Sequence, residues 1–267
     1  MDIIVENSSS PGASFTENTN GVLLKILDWL EENNYPTLAL REFRLRLEKE
    51  KGINDNNARN IYPLLKNCGF VNYEKNGELD TKTFFTARGL AYVKALQLIK
   101  LLNESDYTTD IKKASIQKAK EVLEITVYKG LRLLLSQETN YNPTIRVLLQ
   151  YLLAFSKVDK NEYAYLLYCF GAGENTNFCI DDMQENVCQY RDGKIKINVK
   201  VRVRNDKGLR DKTNETNRLE GIDFLTSYSF FTTLLVQAGL ITKSEGYFLL
   251  KQDKRDLCES ILEVTHG

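Results

Sequence analysis

The stretch Lys194-Ile-Lys-Ile-Asn-Val-Lys-Val-Arg-Val-Arg204 alternates polar and apolar residues without a break. An extended strand of this sequence places Lys194, Lys196, Asn198, Lys200, Arg202 and Arg204 on one face and only Ile and Val on the other. Such a strand is a row of cations above a dry surface, an arrangement suited to neutralising phosphates. The loop after it adds Lys207, Arg210 and Lys212. Arg191 to Arg218 thus holds ten basic and four acidic residues, net +6, in a chain that balances 36 Lys and Arg against 36 Asp and Glu. Positive charge gathered on one segment of a neutral chain points to a polyanionic partner. The plainer reading is a solvated edge strand whose lysines guard against aggregation.

Other chemistries are poorly supplied. The single histidine is His266, one residue from the end, so imidazole catalysis and His-based metal chemistry lack a packed position. Gly171-Ala-Gly173 lacks the further glycine and preceding strand of a dinucleotide fingerprint, and no P-loop spacing occurs. The five cysteines form no CxxC pair and their number is odd, so reduced and mostly buried thiols are expected. Cys179 and Cys188 supply at most half a zinc site. Asp181 or Asp182 followed by Asn198-Val-Lys200 has the outline of a Mg²⁺ nuclease site, but an amide stands where the second carboxylate belongs. No cofactor is expected in this chain.

The elements that must position the basic strand can be read from periodicity. With 42% hydrophobic residues over 267 positions the chain can bury one large core or two small ones. No apolar run reaches the roughly 20 residues of a membrane helix, and the start of the chain lacks a signal pattern, so a cytoplasmic protein is expected. Residues 1–20, rich in Ser, Asn and Gly, predict a loose arm. Val22, Leu23, Ile26, Leu27, Trp29 and Leu30 form the stripe of a first helix. Thr37 is a candidate cap for a second helix burying Leu38, Leu40, Phe43, Leu45 and Leu47. A third helix opens near Asn54 and stops at Gly69, with Pro63 expected to bend or restart it. Val71 to Tyr73 and Thr83 to Phe85 then flank a turn at Lys75-Asn76-Gly77.

Three helices and a hairpin follow the winged-helix order, in which the third helix enters the major groove of duplex DNA. Asn56, Asn57, Arg59 and Asn60 open that helix and are candidate base readers, because amides match adenine and guanidinium matches guanine. Simple capping and a solvated loop explain the same residues more blandly. Lys66 near its end is a candidate phosphate contact. The ending recurs: "LLKNCGFV" and "KTFFTARGLAYV" correspond to "LLVQAGLI" and "GYFLLKQDKRDL". The expected fold is therefore mainly α with small β-hairpins, an α+β chain of tandem winged-helix domains joined by helices. The expected division is an arm at 1–20, a first domain at 21–100, connecting helices at 101–140 and a second domain at 141–267 that holds the basic strand.

Three stretches carry a family resemblance: "FTARGLAYVKA" from Phe85, "YNPTIRVLLQYLLAFSKVDKNEYAYLLYCFGAGE" from Tyr141 and "LLVQAGLITKSEGYFLL" from Leu234. In this order they resemble the DNA-recognition region of type IIS restriction endonucleases of the FokI and AlwI kind. The resemblance implies winged-helix subdomains that read a short asymmetric site, with cleavage by a separate domain. It supports the third helix as a reading element and adds the polar segment Asn214, Asn217, Arg218 and Glu220. Glu220 can accept from cytosine N4, or it can simply answer a helix dipole.

The expected function is thus sequence-specific binding of double-stranded DNA, as the target-recognition part of a type II restriction endonuclease. Mg²⁺ would be needed only by the separate cleavage domain. The expected complex is a monomer on a short non-palindromic site, with the basic strand as a phosphate clamp that delivers Asn217, Arg218 and Glu220 to the groove. The alternative is a non-catalytic tandem winged-helix regulator of transcription or replication initiation. A protein-interaction module is a third class.

Overall fold

The computed structural model describes residues 1–10, 12–72, 78–105, 109–171, 178–204 and 217–263. The chain is mainly helical with small sheets. In chain order the elements begin β1 (Asp2–Glu6), α1 (Glu17–Glu32), β2 (Thr37–Ala39), α2 (Leu40–Lys51), α3 (Asp55–Asn67), β3 (Glu78–Asp80), α4 (Ala87–Glu104) and α5 (Asp110–Leu135). They continue with α6 (Asn142–Phe155), β4 (Lys157–Val158), α7 (Lys160–Phe170), α8 (Gln184–Arg191), β5 (Asn198–Arg204), β6 (Asn217–Glu220), α9 (Thr226–Gln237), β7 (Ile241–Ser244), β8 (Tyr247–Leu250) and α10 (Arg255–Leu262). Two compact units result. One is built from Met1–Ser10, Glu138–Thr232 and Leu240–Thr265, the other mainly from Pro11–Gln137 with Thr233–Gly239.

In the unit built mainly from Pro11–Gln137, Thr16 caps α1 by accepting from the Thr19 amide, and the expected stripe from Val22 to Leu30 is buried. Thr37 is not the cap of α2. Thr37–Ala39 is extended and pairs antiparallel with β3, Leu38 opposite Leu79, so the helix starts only at Leu40. Leu45 points outward, against expectation, because at 100° per residue it faces away from the buried Leu40, Phe43 and Leu47. Pro63 neither stops nor divides α3, which is assigned as one helix through Asn67. Of the expected hairpin, the described residues show a single isolated bridge between Val71 and Phe85; Thr83 is not extended but ends a short helical turn at Thr81–Thr83, and Tyr73 and the turn residues lie outside the described residues.

The centre of this unit is aromatic. Phe15, Phe70 and Tyr92 meet with ring centroids 4.9 to 5.4 Å apart, within the range of favourable ring pairs. α4 and α5 pack against each other, and both carry a glycine where Phe70 approaches. A Cβ at Gly89 would lie 1.9 Å from the Phe70 carbonyl oxygen, and one at Gly130 2.8 Å from the Phe70 ring. The helices expected to join two domains thus contribute to this core.

In the other unit, β4, β8 and β7 form a three-stranded antiparallel sheet in that order. Glu245 and Gly246 both have positive φ, the geometry of a tight two-residue hairpin turn between β7 and β8. α7 begins with a reciprocal capping box: Asp159 accepts from the Glu162 amide, and the Glu162 carboxylate accepts from the Asp159 amide. α10 packs on α6, where Arg146 donates to the Leu262 carbonyl.

The second sheet of this unit has the order β1-β5-β6, with β5 parallel to β1 and antiparallel to β6. This corrects the expected loose arm. Ile3 and Val5 are buried, with α7 packed on β1, and Asp2 to Glu6 run in register with Asn198 to Arg202. Apolar burial and a full ladder outweigh the Ser- and Asn-rich composition that follows.

Candidate nucleic-acid interface

β5 is the central strand of its sheet, so it is not the lysine-guarded edge strand of the plainer reading. The alternation is kept: Lys196, Asn198, Lys200 and Arg202 are exposed, Ile197 and Val201 are buried, and Val199 and Val203 are partly so. The strand is shorter than expected, starting at Asn198. Its ladder with β1 begins where Asp2 meets Asn198, and the Met1 ammonium donates to the Lys196 carbonyl just before it. Lys194 lies in the preceding bend and pairs with Asp192 at 2.8 Å, which raises the lysine's pKa through their hydrogen bond and opposite charge.

Acidic partners for the cationic row come from the segment expected to be a loose arm. Side chains directly opposite in register share a face, so Asp2 and Glu6 join the exposed face of β5. Asn198 donates to Asp2 at 2.8 Å, and Arg202 pairs with Glu6 at 3.1 Å. Lys196 and Lys200 form no ion pair among the described residues and stay exposed. These two lysines are the cations readiest to meet an added anion.

The expected reading segment is divided by the pleat. Arg218 stands opposite Val203 and Glu220 opposite Val201, on the face away from Lys200 and Arg202. There the two pair with each other at 2.6 Å, and the Arg218 guanidinium lies 5.9 Å from the Phe224 ring centroid. The clamp reading needs them beside the cations, whereas the register sets them on the opposite face. Asn217 stands opposite Arg204, and the side chains of both lie outside the described residues. So do Lys207, Arg210, Lys212 and Asn214.

Asn56, Asn57, Arg59 and Asn60 occupy the first half of α3. Asn60 is exposed, while the side chains of Asn56, Asn57 and Arg59 lie outside the described residues. Lys66 sits in the last turn of α3.

Several residues that sequence reading passed over hold this surface in place. Arg191, counted among the segment's cations, is largely buried: its Nε donates to Glu162 Oε1 at 2.6 Å, and its terminal nitrogens reach the Phe155 and Lys157 carbonyls. Burial opposes the charge on Arg191, but the Glu162 hydrogen bond and carboxylate more than offset it and its pKa is raised. Asn7 accepts from the Ser227 amide at 3.3 Å and donates to the Phe224 carbonyl at 2.6 Å, serving the start of α9 from the far end of the chain. Below it Tyr163 donates to Ser227, and burial pushes the phenol up to about 12. The Ile3 and Val5 alternation was the only local signal for β1, and Asn7 gave none.

Among the described residues no group of three or more His, Cys, Asp or Glu is placed to hold a metal ion. Asp181 and Asp182 lie exposed in a short helical turn at Ile180–Met183, and Asn198 is engaged with Asp2. The five thiols are free, but only Cys68 and Cys258 are buried, fewer than expected. Among the described residues no helix is long and apolar enough to cross a membrane. Comparison with protein-family models, curated proteins and solved structures finds no match.

Proposed function

We propose that the chain binds double-stranded DNA sequence-specifically, as the target-recognition part of a type II, IIS-like restriction endonuclease whose Mg²⁺-dependent cleavage domain is separate. The observation that carries this reading is the exposed cationic face of β5, with Lys196 and Lys200 unpaired among the described residues of a chain with zero net charge. A central strand paired on both sides holds its cations at a regular spacing on one face.

The order of elements supports a winged helix in each unit. In one, α1, β2, α2 and α3 are followed by β3 on β2 and by the Val71 bridge to Phe85. In the other, α6, β4, α7 and the first part of α9, to Thr232, precede the β7–β8 hairpin, and β4 adds to β8. α3 is then one reading helix, with Asn56, Asn57, Arg59 and Asn60 as its candidate base readers and Lys66 as its candidate phosphate contact. Two unlike units suit an asymmetric site read by a monomer.

Selection of bound duplexes from a random pool tests this directly. One short non-palindromic site is expected. Enrichment of an inverted repeat would overturn the restriction reading in favour of a dimeric regulator, and no enrichment would overturn sequence-specific binding.

A further inference from the structure

Beside β1 the surface opens into a groove of about 790 Å³, within the roughly 300–1,000 Å³ of small-ligand sites. Its polar lining is made of amides and hydroxyls: Asn7, Ser8, Ser9, Asn140 and Thr144. Asn7 and Ser8 are already engaged with α9 and Tyr163, whereas the side chains of Ser9 and Asn140 make no hydrogen bond among the described residues. The apolar lining includes Pro143, Leu167 and Val203. On the last turn of α7, Tyr168 lines the groove with 53% of its surface exposed.

We propose that this groove receives one unpaired nucleotide of a DNA strand whose backbone follows Lys200, an inference that rests on the DNA-binding reading above. The charge pattern selects the ligand. The groove's own charged residues, Glu6 and Arg202, are paired with each other, so its interior favours a neutral body. Lys200 stands opposite the groove residue Ile4 in register, so the next cation outside the groove favours an anion. A nucleotide has that division, a neutral planar base with donors and acceptors on its edge and a phosphate at one end. The base stacks on Tyr168, its edge meets Asn140 and Ser9, and the phosphate lies at Lys200. Stacking on an exposed aromatic tolerates any base, so the groove adds affinity without reading sequence.

Fluorescence anisotropy with a labelled oligothymidylate and a labelled mixed-sequence duplex tests the proposal. Tyr168→Ala is expected to weaken oligothymidylate binding about tenfold and duplex binding by less than about twofold, and Tyr168→Phe to restore both. Tyr168 is exposed, and an unchanged circular dichroism spectrum verifies the fold of each variant. Oligothymidylate binding that ignores Tyr168→Ala, or its absence where the duplex binds, overturns the groove and leaves duplex recognition standing. Tyr168-dependent oligothymidylate binding with no duplex binding supports the groove and overturns duplex recognition. Binding of neither overturns both.

Discussion

Arg191→Ala is the perturbation with the most legible consequence. The guanidinium makes four hydrogen bonds, two to the Glu162 carboxylate and one each to the Phe155 and Lys157 carbonyls. Glu162 is fully buried and the Arg191 side chain is only 20% exposed, so the pair is not screened as a surface bridge would be. Removing the arginine leaves a fully buried carboxylate that still accepts from the Asp159 amide but has lost its counter-charge, a change that costs about 3–5 kcal/mol. Against a typical total stability of about 5–15 kcal/mol that is a large fraction. At about 2–4 °C per kcal/mol the melting temperature should fall by roughly 6–20 °C.

Urea unfolding followed by circular dichroism gives the free energy directly. The double variant Arg191→Ala with Glu162→Gln should recover part of the loss, because the orphaned charge is gone. A loss below about 1 kcal/mol, the scale of exposed ion pairs, would refute the reasoning. So would a double variant no more stable than Arg191→Ala alone.

Two further outcomes follow from the packing. Gly89→Ala in α4, which in an open helix would gain about 0.5–1 kcal/mol, should instead destabilise by at least about 1–3 kcal/mol, since the added methyl meets the Phe70 carbonyl at 1.9 Å; the same urea titration reads the sign. Alkaline titration at 295 nm should show a group of late phenols. Burial raises Tyr92, Tyr151, Tyr163 and Tyr228 above the ordinary value of 10, Tyr163 to about 12. A raised folded pKa contributes stability that is fully present below pH 10 and is lost as pH rises through the folded value. Stability should therefore fall above pH 10, and tyrosines that all titrate near 10 in the native protein would contradict the burial.

How much of this was legible in the sequence depended on range. α7 falls at Lys160–Phe170 as the apolar stripe indicates, because Asp159 and Glu162 form a local capping box and Gly171 provides a left-handed end. β8 at Tyr247–Leu250 follows from its apolar run and the Glu245-Gly246 turn. The alternation of β5 was equally plain, being a property of consecutive residues. What the sequence hid was pairing across distance. β1 finds β5 almost 200 residues away in a parallel ladder, for which no turn signal exists. Thr37 has the chemistry of a helix cap, but its neighbours' pairing with β3 decides its conformation. Arg191 reads as one more surface cation until Glu162 is seen beneath it. The acids that temper the cationic row, Asp2 and Glu6, lie in a segment whose composition suggests no structure.

The central claim is that Lys200 and its neighbours meet DNA phosphates, and a salt titration of duplex binding tests it most directly. The logarithm of the association constant should fall linearly with the logarithm of salt concentration, at about 0.9 per phosphate neutralised. Lys200→Ala should weaken all duplex sequences alike and reduce that slope by about 1. Binding that is indifferent to salt, or a Lys200→Ala variant with an unchanged slope, would contradict the account.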